Sequence, residues 1–289
     1  MDSIDLAYVG RGLHEELVAY IADQQDYYAA EGVRVALHDG CDWDEQRLRR
    51  GATIGLGRAL VSRLTGGGVP WVALTVSTHR PLFWFLARPE LTTLADLAGH
   101  RLAVHAPRTP PGCFARIVMR RAGLDPDRDV DCIFRPPGDY AMDLRRLHDG
   151  DIDAAYIGST LAPEVVAARH GWRVPAWVGD HLRIPTVGVA VDPTHLPPDT
   201  PAVSALVRAH RRALRVIHDD PDTTIRYLRT FLGGCTEPEA RTYYETYLAP
   251  HFTTDGQVDP EIAKSAIAAV AAELGVPATL DPAEFFCTA

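Results

Sequence analysis

Apolar residues along this chain come in short runs, and a glycine closes many of them. Residues 4–9 read as a strand ending in Gly10-Arg11-Gly12. Residues 14–30 read as a helix with Leu17, Ile21 and Tyr28 near one face, stopped by Gly32. A second strand follows at 33–37, which gives a βαβ unit with a right-handed crossover. Residues 43–50 are helical up to Gly51, residues 53–56 extended, and residues 58–64 helical. After the turn at Gly66–Gly68, the apolar stretches 69–76 and 82–87 predict two more strands. The expected result is a nearly parallel sheet wrapped by helices.

The central block repeats this grammar. A short helix at 93–97 is closed by Gly99, and residues 101–105 alternate as a strand. Next come a loop at 106–112 and a helix at 113–122. Thr109 precedes Pro110 in the order that favours a helix start. A strand feeding a helix N-terminus is a ready anion site, because free backbone N–H groups point outward there. Strands are expected at 130–134 and 153–157, helices at 140–148 and 163–170, an extended piece at 172–178 and a returning strand at 185–191. From residue 201 the pattern is helical throughout: 202–219, 222–232, 237–248 and 260–274.

The stretch ARPELTTLADLAGHRLAVHAPRTPPG, residues 87–112, resembles the interdomain crossing of type II periplasmic binding proteins. GDIDAAYIGS at 150–159 and EGVRVAL at 31–37 extend the likeness in patches from Leu6 to about Asp255. The group it is similar to is the sulfonate/nitrate/taurine-binding and pyrimidine-precursor-synthase-like family. The resemblance implies a two-domain α/β fold with an interdomain cleft and a helical C-terminal tail packed on the first domain. Residues 1–88 and 189–289 would form domain 1, and residues 89–188 domain 2. The enzymes of that fold are matched poorly at their reactive positions. The synthases' lysine and histidine would fall at about Gly57 and Val61, their cysteine-rich motif is missing, and the desulfinases' loop cysteine is replaced by Arg11.

Composition narrows the function classes. The net charge is -9 and no basic run occurs, which argues against nucleic acid. Lys264 is the only lysine, so a Schiff-base lysine in a cleft is nearly excluded. No run reaches the ~18 apolar residues of a membrane span. A strand-like run begins almost at Met1 and leaves no room for a leader, so the expectation is a cytoplasmic protein as sequenced, or an extracytoplasmic one if a leader was removed. Five scattered cysteines suit free thiols, none at metal-ligand spacing; no metal and no cofactor is expected.

Ligands of open α/β sheets sit beyond the carboxyl ends of the strands. That rule selects Gly10, Arg11, Gly57, Thr78, Arg108, Thr109, Tyr140, Ser159 and Thr160 as ligand-binding candidates. Arg11 is favoured for an anionic group, since its planar fork suits carboxylate, sulfonate or phosphate and glycines flank it. Tyr140 is the stacking candidate, whereas Trp84 reads as core. His14 and His79 are the acid/base candidates, and Cys113, in the first turn of its helix, is a candidate nucleophile. Two functions stay open. One is a binding protein of the ABC-importer type, holding a small anionic or heterocyclic ligand, with an ABC permease as partner only if exported. The other is a cytosolic lyase or isomerase acting on a small carboxylate through histidine acid/base chemistry. Fold alone cannot choose between them.

Overall fold

The structure, a computed structural model, describes residues 2–10, 12–134 and 140–287. The first strand, β1 (Asp2–Tyr8), turns Ile4 and Leu6 into the core. Helices α1 (Leu13–Gln24) and α2 (Tyr27–Ala30) lead to β2 (Val33–Asp39). Then come α3 (Glu45–Leu48), β3 (Ala52–Ile54), α4 (Leu56–Leu64) and β4 (Val72–Ala73). β1 pairs in parallel with β2 on one side and β3 on the other.

The second lobe is built from β5 (Phe83–Ala87), β6 (Arg101–Val104), α5 (Pro110–Arg121), β7 (Asp131–Phe134), α6 (Tyr140–Asp149), β8 (Ala154–Gly158), α7 (Pro163–His170), β9 (Arg173–Trp177) and α8 (Val178–His181). Its sheet has the order β7-β6-β8-β5-β9. β6 runs parallel to β7 and β8, and β5 runs antiparallel to β8 and β9. The chain then returns to the first sheet as β10 (Val189–Val191), antiparallel between β3 and β4. The C-terminal part is α9 (Pro201–Asp219), α10 (Pro221–Phe231), α11 (Glu237–Tyr243) with a π-turn at Tyr244–Leu248, α12 (Pro260–Leu274) and α13 (Pro282–Phe285). α9 and α10 pack on α1, and α12 packs on α4 and α5. Thr200, Asp220, Thr236 and Asp259 cap these helices with their side chains, each followed by proline in the first turn.

Two sequence expectations need correction. Residues 83–87 were expected in the first domain, but FWFLA is the buried, antiparallel core strand of the second sheet. The first crossing between sheets therefore precedes Phe83, not residue 88. The stretch 69–76 forms only a two-residue strand. Its remaining backbone groups bond elsewhere: Leu74 N–H to the Val189 carbonyl, Val76 N–H to that of Gly256, and Ser77 N–H to that of Val187. The first sheet is nearly parallel, as expected: β1, β2, β3 and β4 share one direction, and β10 runs against its two neighbours. Among the described residues no helix is long and apolar enough to cross a membrane.

Entry into β10 depends on Gly188. It holds φ at +152°, and a Cβ there would lie 1.8 Å from the Thr75 carbonyl oxygen. Gly188→Ala should lower unfolding stability by about 2–3 kcal/mol through overpacking and backbone strain. Urea denaturation checks this; an unchanged midpoint would contradict the tight crossing.

Candidate functional site

The carboxyl ends of β1, β2 and β8 converge on an open cleft of about 340 Å³. β1 and the start of α1 supply Tyr8, Gly12, Leu13 and Glu16, and Asp39 comes from the end of β2. Thr160, after β8, is the wall from the second lobe. Thr230 and Phe231, from the end of α10, close the third side.

Four N–H groups at the start of α1 have partners. Gly12 N–H donates to Glu16 Oε1 at 3.0 Å, and His14 N–H donates to Ser159 Oγ at 3.2 Å. The Glu15 and Glu16 N–H groups donate to the Gly12 carbonyl. Ser159 Oγ also bonds His14 Nδ1. The other ring nitrogen, Nε2, lies 3.8 Å from Glu15 Oε1. Phe83 packs edge-on against the imidazole, its ring centre 5.3 Å away. Burial drives the His14 pKa down to about 3. Burial, helped by the neighbouring Glu16 charge, drives the Glu15 carboxyl up to about 8. The Glu15 carboxylate lies so close over Gly10 that a Cβ there would collide with it.

α5 is closed to anions as well, contrary to expectation. Pro110 and Pro111 occupy its first positions and have no N–H to give. Gly112 N–H donates to Thr109 Oγ1 at 3.3 Å, and Thr109 Oγ1 donates to the Ala106 carbonyl at 2.7 Å.

The other candidates are scattered. Gly57 is a packing position, where a Cβ would come within 3.0 Å of Pro110 and 3.2 Å of Phe114 in the other lobe. Thr78 is buried and donates to the His251 carbonyl. His79 Nε2 accepts the Asp259 N–H at the start of α12, and burial lowers its pKa. His14 and His79 share no partner in these contacts, so the structure does not assemble the expected histidine pair. Arg108 is exposed. Cys113 is fully buried, and burial with the Glu273 charge pushes its thiol up to about 12, the reverse of an activated nucleophile. Arg11 and the Tyr140 side chain lie outside the described residues. Among the described residues no group of three or more His, Cys, Asp or Glu is placed to hold a metal ion.

Sequence reasoning missed Tyr8, Glu16, Asp39, Thr230 and Phe231. Tyr8 and Asp39 end parallel strands, so the carboxyl-edge rule could have found them. Thr230 and Phe231 come from the tail and carry no local signal.

The family model described as NMT1/THI5 like matches residues 15–224, well over half of the sequence. The chain belongs to this family. No curated protein matches the sequence. Among solved structures, the chain is similar to the periplasmic aliphatic sulphonate binding protein SsuA of Escherichia coli, at 15% identity and TM-score 0.74, covering 98% of this chain and 91% of that one. It is also similar to the alkanesulfonate-binding protein SsuA of Xanthomonas axonopodis pv. citri bound to MOPS, at 14% identity and TM-score 0.76, covering 99% and 98%. The desulfurization enzyme DszB matches at 16% identity and TM-score 0.65, covering 94% and 91%. At such identities these likenesses establish the type II periplasmic binding protein fold, as the family resemblance implied.

Two outcomes follow from the burial of these groups. The His14 imidazole should show no titration between pH 5 and pH 8 by NMR, since its lowered pKa keeps it neutral throughout that window; a midpoint near 6.5 would contradict its burial. Native protein at pH 8 should leave Cys113 unmodified by iodoacetamide while the exposed Cys287 reacts; mass mapping of the labelled peptides decides.

Proposed function

We propose that the chain is a reversible small-molecule binding protein of the ABC-importer substrate-binding type. The observation that carries this is the cleft, walled by both lobes at the carboxyl ends of β1, β2 and β8. The lyase or isomerase alternative loses its candidate groups: His14 is buried against Ser159, His79 holds the start of α12, and Cys113 is core. Location sets the partner. Exported, the protein would deliver its ligand to an ABC permease; retained in the cytoplasm, the same cleft would serve as a sensor.

Between the anionic and heterocyclic ligand classes, the cleft favours a heterocycle that carries N–H donors. Glu16 and Asp39 present carboxylates in its wall, and each carboxylate has about four acceptor positions, enough for a ligand alongside its internal bonds. At the start of α1 the Gly12 N–H is taken by Glu16 and the His14 N–H by Ser159 of the other lobe, and α5 begins with two prolines. Phe231 supplies an apolar face for a flat ring. The two SsuA proteins are sulfonate-binding proteins; a sulfonate in this cleft would meet carboxylates of like charge. Arg11 is the proposed partner for any acidic substituent the ring carries.

Calorimetric titration tests this. Amino- and amide-bearing heterocycles should bind, and MOPS and other alkanesulfonates should not. Asp39→Asn should weaken heterocycle binding by about 10- to 100-fold, matching ~1.5–3 kcal/mol for a hydrogen bond to a charged group. Tight alkanesulfonate binding, indifferent to Asp39→Asn, would overturn the ligand class.

A further inference from the structure

We infer that Ser159 and His14 form a latch between the two lobes, set by the same backbone segments that wall the cleft. The inference rests on the binding reading for its purpose, but not for its geometry. Ser159 follows β8 of the second sheet, and His14 lies in the first turn of α1, above the first sheet. Both are buried, at 0% and 2% exposure. One hydroxyl makes two bonds to one residue of the opposite lobe, accepting from its backbone N–H and engaging its imidazole Nδ1.

The backbone bond has a specific meaning. The first N–H groups of a helix have no partner within the helix and are normally served by the N-cap side chain. Here the N-cap is Gly12, which has no side chain, so α1 has no cap of its own. The cap for His14 N–H is delivered across the cleft. Gly12 is what lets it arrive: its φ is +154°, and a Cβ on it would sit 2.7 Å from Ser159 Oγ. The sequence neighbours of the latch are Gly12, Leu13 and Thr160, all in the cleft wall. The latch is already made with the lobes as they stand, and separation of the lobes gives both its bonds to water. The latch therefore slows ligand escape without touching the ligand.

The test uses ligand-free, full-length protein, so it is independent of ligand identity. Hydrogen exchange followed by NMR should find the His14 amide protected. In Ser159→Ala that amide should exchange at least tenfold faster, while the Glu16 amide, bonded to the Gly12 carbonyl within α1, changes little. Small-angle scattering should show a larger radius of gyration for the variant. Gly12→Ala, which keeps the hydroxyl and wedges a methyl against it, should have the same two effects. Thr160→Ala should leave the His14 amide as in the parent. Circular dichroism selects variants that are folded. A His14 amide and a radius of gyration unchanged in both folded latch variants would overturn the latch and leave the binding reading standing. Failed ligand titrations with an intact latch would do the converse.

Discussion

The arrangement of the molecule depends on two chain crossings that bond to each other. Ser77 N–H donates to the Val187 carbonyl, and Ile184 N–H donates to the His79 carbonyl, both at 2.8 Å. The Trp177 indole N–H reaches the Pro81 carbonyl at 2.9 Å. Two crossings joined in this way form one joint between the sheets they connect. The tail adds to this joint. Thr253 N–H donates to the Ser77 carbonyl, and α12 begins on His79. Residues that looked like ligand groups at the sequence level, Thr78 and His79 among them, are spent on this joint.

With the lobes held in apposition, the loops after β1, β2 and β8 face one space. What that space offers is decided by donors already consumed. A helix N-terminus attracts anions only while its N–H groups remain unsatisfied. α1 gives two of its groups to Glu16 and Ser159, and α5 starts with prolines and a threonine cap. On the proposed reading, the acceptors in the wall, Glu16 and Asp39, set the character of the cleft. The same economy explains the histidine: an imidazole packed against Phe83 and bonded to a serine is a structural group.

Most of the architecture was legible in the sequence, because strand and helix periods were clear and glycines or caps marked their ends. The family resemblance in residues 87–112 supplied the two-lobe plan. What failed was sheet membership. FWFLA is apolar at every position and fits a buried strand in either sheet, so nothing local assigned it to the second. Of the residues that line the candidate cleft, Thr160 was named through the carboxyl-edge rule, and Asp39 was within its reach. Phe231 was not, since a tail helix meets the cleft only after the chain has folded back. The reading of α5 as an anion site failed because the strand-loop-helix pattern was weighed without subtracting the N–H groups that Pro110 and Pro111 lack.

The central claim is that the cleft between Phe231, Asp39 and Thr160 holds an unmodified small molecule with N–H donors. A crystal structure of the protein purified from its native source, with the co-purifying compound identified by mass spectrometry, tests it most directly. The account predicts a flat heterocycle, non-covalently held, with an N–H directed at Asp39 or Glu16. A sulfonate seated at the start of α5, or a molecule covalently attached to the protein, would contradict it.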